Sequence, residues 1–140
     1  MEIQTFLFAG SVRYSPEHHN YNATQIGTYS FAPEDAKFPF RNTLRYFLTL
    51  RRVSCANLDP IKVSLRLVRN GLLIYQGHIV SGEHFGEGQR FWSQAGTCTI
   101  EFPAAGDYRL ELRAGDEDAS PYIYEVEVTS EGIGWGDDKI

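Results

Sequence analysis

One pattern recurs along most of the chain: apolar and polar side chains alternate with a period of two residues. The segment 61–69 (IKVSLRLVR) shows it as far as Leu67, and 108–114 (YRLELRA) shows it throughout. Successive side chains of a β-strand point to opposite faces, so the pattern predicts strands with one buried face. The residues expected to face the interior are Ile61, Val63, Leu65, Leu67, Tyr108, Leu110 and Leu112.

The dipeptide Asn70–Gly71 follows the first of these segments directly. Both central residues of a type I′ turn need a positive φ, and Asn-Gly is among the pairs that meet this need best. The sequence therefore predicts a two-residue hairpin, with 72–80 as a return strand antiparallel to 61–69.

Further alternating segments predict the remaining strands. They are 3–9, 21–32 with a bend at Gly27, 44–53, 97–102 and 122–128. No segment has a convincing helical period, although 33–36 (PEDA) is compatible with a single helical turn. About seven or eight strands joined by short connections predict one antiparallel, immunoglobulin-like β-sandwich. We expect this domain to span 1–128, followed by a tail at 129–140 rich in Gly and Asp.

Composition narrows the function classes. A chain of 140 residues with 42% hydrophobic and 14% aromatic content suits one folded domain. The net charge of −5 disfavours nucleic acid and anionic lipid as partners. No apolar window is long enough to span a membrane, and the N-terminus lacks the pattern of a signal peptide. We therefore expect a cytoplasmic protein with reduced thiols.

Two resemblances support the sandwich. The segment 103–112 (PAAGDYRLEL) resembles a turn and strand of bacterial immunoglobulin-like domains, in which a Tyr hydroxyl reaches back to a turn carbonyl. More of the chain resembles an uncharacterised family of small bacterial β-sandwich proteins, through YNATQIGTYSFAPEDAKFPF, YFLTLRRV, VSLRLVRNG and FPAAGDYRLEL. The matching positions are Asn22, Gly27, Phe38, Pro39, Pro103, Gly106 and Tyr108. This resemblance implies a bacterial or phage origin and no site.

No catalytic or cofactor motif is present in the sequence. His18, His19, His78 and His84 lack a familiar metal-ligand spacing. Cys98 is expected to be a buried core thiol, and Cys55 has no nearby His to activate it. The carboxylates on alternating positions are expected on solvated faces, where they are poor general acids; they are Glu101, Glu111, Glu125 and Glu127. We expect no enzyme activity, no metal and no cofactor, with an enzyme of scattered residues as the alternative.

Charge is unevenly distributed. Between residues 41 and 69 there are seven basic residues and one acid, whereas 101–138 holds eleven acids and two arginines. The basic residues are Arg41, Arg45, Arg51, Arg52, Lys62, Arg66 and Arg69. They form either a patch for a phosphate, a nucleotide or an acidic partner, or one half of a set of cross-strand charge pairs.

Aromatic residues suggest two further features. The segment 81–96 is expected to be a glycine-rich loop, in which Arg90 and Trp92 belong either to a recognition surface or to a cap on the open end of the core. Phe47 is expected on an outward face, which implies that a loop, another subunit or the tail residue Trp135 covers it.

The sequence therefore favours a non-catalytic domain that binds another protein, or a second copy of itself, through a sheet face or an edge strand. Membrane is not an expected partner. The alternative is a small-ligand, phosphate or nucleotide-binding protein that uses a basic sheet face and the 81–96 loop. The residues assigned to binding are Arg45, Phe47, Arg51, Arg66, Arg90, Trp92 and Trp135.

Overall fold

Every regular element in the described part of the chain is a β-strand. The computed structural model describes residues 1–18, 20–24, 26–27, 29–31, 37–53, 60–115 and 119–129. The strands are β1 (Glu2–Ala9), β2 (Ser11–Ser15), β3 (Asn20–Thr24), β4 (Tyr29–Phe31), β5 (Phe40–Arg51), β6 (Ile61–Arg69), β7 (Leu72–Glu83), β8 (Phe91–Phe102), β9 (Gly106–Ala114) and β10 (Tyr122–Thr129). Within these ranges no helix is long and apolar enough to cross a membrane. The helical turn expected at 33–36 lies outside them.

The strands form two main sheets and one hairpin. The three-stranded sheet has the order β1-β5-β8, and the five-stranded sheet has the order β4-β10-β9-β6-β7. All pairs within them are antiparallel except β10 with β4, which is parallel and departs from the purely antiparallel expectation. β2 and β3 pair, among the described residues, only with each other and form the β2–β3 hairpin.

Side chains from the facing sides of the two main sheets form one core. Phe6 packs edge-on against Tyr124, with ring centroids 5.5 Å apart, and Phe102 packs against Tyr108 at 5.1 Å. All residues predicted to face inward in 61–69 and 108–114 are buried. The buried apolar residues are Phe6, Phe8, Tyr46, Leu48, Leu50, Ile61, Val63, Leu65, Leu67, Val80, Ile100, Phe102, Tyr108, Leu110, Leu112, Ala114, Val126 and Val128. Alternation therefore identified the core.

The hairpin predicted at Asn70–Gly71 is confirmed. The two residues have φ values of 51° and 78°, and Arg69 pairs with Leu72 on either side of the turn. A second local expectation is also met, because the Tyr108 hydroxyl donates a hydrogen bond back to the carbonyl of Ala104.

The segment 21–32 is not one strand. β3 ends at Thr24 and pairs with β2, whereas β4 begins at Tyr29 and pairs with β10. Between them Gly27 forms an isolated bridge with Phe8 of β1. Local alternation is the same whichever sheet a strand joins, so the sequence did not reveal this division.

The prediction of a loop over 81–96 is wrong as well. β7 continues to Glu83 and β8 begins at Phe91, so the connection covers only 84–90. The glycine count suggested a loop, but Gly96 lies within β8, directly opposite Tyr46 of β5. A Cβ at Gly96 would lie 2.7 Å from the Tyr46 hydroxyl oxygen and 2.8 Å from Cζ. Gly96 therefore leaves space for the Tyr46 ring and does not mark a turn.

Gly96→Ala should destabilise the domain by about 1–3 kcal/mol, because the added methyl group overlaps the Tyr46 ring. The same substitution in a Tyr46→Leu background should cost less, since the end of the ring is then absent. Urea unfolding of the four proteins measures the coupling between the two positions. Equal costs of Gly96→Ala in both backgrounds would contradict the packing explanation.

Candidate functional site

Six of the residues assigned to binding from the sequence are described by the structure, and these six do not converge on one site. Arg45, Phe47 and Arg51 follow one another along the outer face of β5, whereas Arg66 is on the outer face of the five-stranded sheet. Arg90 is the last residue of the 84–90 connection. Trp92 packs against the core, and Trp135 lies outside the described residues.

The outer face around Phe47 is covered, as expected, but the cover found is the β2–β3 hairpin, which was not among the expected covers. The Tyr21 ring lies on the Phe47 ring at a centroid distance of 5.1 Å, and Tyr14 packs on Tyr21 at 5.3 Å. The base of the hairpin is held by Arg45, whose Nη1 donates to the Gly10 carbonyl at 3.3 Å. Phe47 and Arg45 therefore have roles within the fold.

Most of the basic residues between 41 and 69 interact with nearby groups of the same molecule. Arg41 pairs with Glu101 at 3.7 Å, and Arg51 pairs with Glu2. Arg69 donates to the Ala105 carbonyl at 3.2 Å. These contacts favour mutual neutralisation over a basic patch. The ion pairs are solvent-exposed, so each contributes at most about 1 kcal/mol to stability.

Arg66 faces an open groove of about 840 Å³ on the outer face of the five-stranded sheet. Its Nε is buried and has no hydrogen-bond partner among the described residues. Among the described residues of the lining, Arg66 and Arg109 are the only cations, against four carboxylates, which belong to Asp107, Glu111, Glu125 and Glu127. The groove is therefore net negative and unsuited to a phosphate.

The 84–90 connection closes one end of the core. The Gln89 side chain accepts a hydrogen bond from the Gly86 amide at 2.7 Å and donates one to the Phe91 carbonyl at 2.7 Å. Phe85 packs against the core, and the Arg52 guanidinium lies over its ring at 5.5 Å. This geometry supports the interpretation of Trp92 as part of a cap, and Phe85 belongs to the same cap.

Cys98 is the one thiol among the described residues. It lies on β8, is half-buried and has no disulfide partner. Burial raises the pKa of the thiol from 9.0 to about 11. Cys98 is therefore protonated at neutral pH and is a poor nucleophile. Cys55 lies outside the described residues, as does His19.

Among the described residues no group of three or more His, Cys, Asp or Glu is arranged to hold a metal ion. His18, His78 and His84 are exposed and lie on different elements or connections.

Tyr46 and Tyr124 connect the two main sheets by hydrogen bonds, one on each side of the core. On one side the Tyr46 hydroxyl donates to the Ile79 carbonyl of β7 at 3.4 Å and accepts from Gln94 of β8 at 2.6 Å. On the other side the Tyr124 hydroxyl donates to the Gly27 carbonyl and accepts from the Phe8 amide at 3.3 Å. Burial raises the pKa of both tyrosines, so both hydroxyls stay protonated in these contacts.

β7 is an edge strand of unusual composition. In the described residues it pairs only with β6, so one side of a strand of 12 residues lacks a neighbour in its sheet. We call this side the β7 edge. Leu72, Leu73 and Tyr75 are 68%, 47% and 40% exposed, although all three are large apolar residues.

The β7 edge has few of the features that usually prevent a strand from pairing with another chain. Edges are commonly protected by charged side chains, proline or β-bulges. The segment 70–82 contains no Asp, Glu, Lys, Arg or Pro. Its protection consists of register shifts against β6, such as the one between Leu67 and Val68. The sequence predicted this strand but not its position at an edge, which depends on the topology of the whole sheet.

Comparison with models of known protein families finds no match, and comparison with curated proteins finds no similar sequence.

Burial of Cys98 makes the free energy of unfolding depend on pH in the alkaline range. The folded pKa is about 11 and the usual value is 9.0. The contribution of the buried, protonated thiol to the free energy of unfolding is therefore fully present below about pH 9. It is lost as the pH rises toward 11, because the thiol of the unfolded chain ionises first. Wild type should lose roughly 1 kcal/mol more than Cys98→Ala between about pH 8 and about pH 10. Urea unfolding at both pH values measures this, and parallel losses in the two proteins would contradict it.

Proposed function

We propose that this protein is a non-catalytic binding domain that captures an extended segment of another protein by adding it as a strand to the β7 edge. The proposal rests on one observation, which is that a long edge strand is neutral, apolar and open among the described residues. In such recognition, main-chain hydrogen bonds supply affinity and side chains at alternate positions supply selectivity.

The exposed side chains of the β7 edge indicate the chemistry of the bound segment. Leu73 is on the outer face beside Val68, and Tyr75 is opposite Leu67 on the inner face. An added strand would contact both faces of the edge with successive residues. Because 70–82 has no Asp, Glu, Lys or Arg, the best partner is an extended, uncharged segment with apolar residues on both faces.

Two further features belong to the same proposal. We infer that the two main sheets form an immunoglobulin-like sandwich, which is supported by the hydrogen bond from the Tyr108 hydroxyl to Ala104 at the start of a late strand. We also infer a cytoplasmic location, with which the free thiol of Cys98 is consistent.

Leu73→Lys should weaken partner binding, because it puts a charge on the β7 edge where the added strand would lie. Ile123→Lys is the matched control, since Ile123 is also an exposed apolar residue, 41% accessible, but lies on β10 opposite Glu111. A partner recovered from an extract of the host should bind wild type and Ile123→Lys. Its affinity for Leu73→Lys should be at least about tenfold lower.

Hydrogen exchange then identifies the surface used. The bound partner should slow exchange of the amides of Leu72–Glu83 in wild type. Protection confined to another strand, or equal binding of the partner to both lysine variants, would refute strand addition at β7.

A further inference from the structure

We propose that the groove on the outer face of the five-stranded sheet binds a short peptide with free termini, about four residues long. The terminal carboxylate would lie at Arg66, and the terminal ammonium group would lie between Asp107 and Glu127. The volume of the groove, about 840 Å³, is within the usual range of ligand pockets. The groove is separate from the β7 edge, so the inference is independent of the proposed function.

The charged residues of the groove form three rows across the sheet. The first row holds Arg66 and Glu111, the second Arg109 and Glu125, and the third Asp107 and Glu127. Four residues of β9 separate the first row from the third, which is a distance of about 13 Å. The middle row is neutral, since Nη2 of Arg109 lies 3.8 Å from Oε1 of Glu125. The two ends of the groove therefore differ in charge.

The first row supplies a cation without a partner. Arg66 is half-buried and forms no ion pair or hydrogen bond with the described residues. Its neighbour Glu111 pairs instead with Arg113, at 3.4 Å. Because Nε of Arg66 is buried, the terminal Nη atoms are the donors that a ligand in the groove can reach. A carboxylate can accept two parallel hydrogen bonds from a guanidinium, so this end suits a terminal carboxylate.

The third row supplies two carboxylates without a cation. Asp107 and Glu127 are direct cross-strand neighbours, and neither forms an ion pair with another described residue. Like charges directly opposite each other in a sheet are destabilising. An ammonium group between the two carboxylates would remove this repulsion and donate to both. A ligand that fills the groove therefore needs a positive group about 13 Å from a negative one.

An extended peptide of about four residues meets this requirement, because a rise of about 3.3 Å per residue puts its two termini about 13 Å apart. Its middle residues would lie over the neutral pair of Arg109 and Glu125 and beside Val68, so they need no charge. A single amino acid is too short to reach both ends, and a phosphate lacks the positive group.

Titration with tetra-alanine, followed by amide chemical shifts, tests the site. Wild type should bind this peptide with a dissociation constant in the millimolar range or below, and the shifts should be centred on β9 and β10. Di-alanine cannot reach both ends and should bind at least about tenfold more weakly. A wild type without a saturable shift, or with shifts confined to β7, would overturn the proposal.

Blocked peptides assign the two ends without any change to the protein. Amidation of the carboxyl end and acetylation of the amino end should each weaken binding at least about tenfold, because each removes one charged contact. Arg66→Gln should weaken binding of tetra-alanine by a similar factor and leave the affinity for the amidated peptide unchanged. Glu127→Gln should likewise weaken binding of tetra-alanine but not of the acetylated peptide.

Arg41→Gln is the matched control, because Arg41 is an exposed arginine on β5, in the other main sheet. It should bind both peptides as wild type does. An equal effect of Arg66→Gln on the free and the amidated peptide would refute the contact between Arg66 and the carboxylate. A loss of affinity in Arg41→Gln as large as that in Arg66→Gln would mean general charge attraction and would also refute the site.

Discussion

Burial of one face of each central strand is the constraint on which the rest of this structure depends. Because side chains alternate, burying Leu48 on β5 and Leu65 on β6 decides which of their neighbours meet water. The charged residues are therefore left on outer faces, where ions such as Arg41 and Glu101 pair across strands. Some basic residues of 41–69 and acidic residues of 101–138, which are distant in the sequence, are therefore neighbours in the fold.

The same constraint leaves the open sides of the two sheets to be closed by other means. Tyr46 and Tyr124 each contribute a ring to the core region and a hydroxyl to backbone groups at the periphery, on opposite sides of the molecule. A tyrosine suits such a position because its body is apolar and its tip is polar. These contacts hold the two sheets together and engage the Ile79 carbonyl of β7. Among the described residues they leave the β7 edge without a neighbouring strand and with three exposed apolar side chains.

Sequence reasoning succeeded where the determining interaction is local. Asn70–Gly71 specifies its turn through its own φ angles, and alternation in 61–69 identifies the buried face. It failed where the partner is distant in the chain. Gly96 suggested a loop because the need for a glycine comes from Tyr46. The cover over Phe47 is a hairpin of which the sequence predicted β3, as part of 21–32, but not β2. The β7 edge was missed for the same reason, since neighbours within a sheet are a property of the whole topology.

Amide hydrogen exchange in dilute, unassociated protein tests the central claim, that the β7 edge is open, most directly. β9 is an inner strand with a neighbour on either side, whereas β7 has β6 on one side. Amides of β7 that point away from β6 should exchange orders of magnitude faster than those of β9, which open only in global unfolding. Equal protection of the two strands would mean that another part of the chain covers the edge, and it would contradict this account.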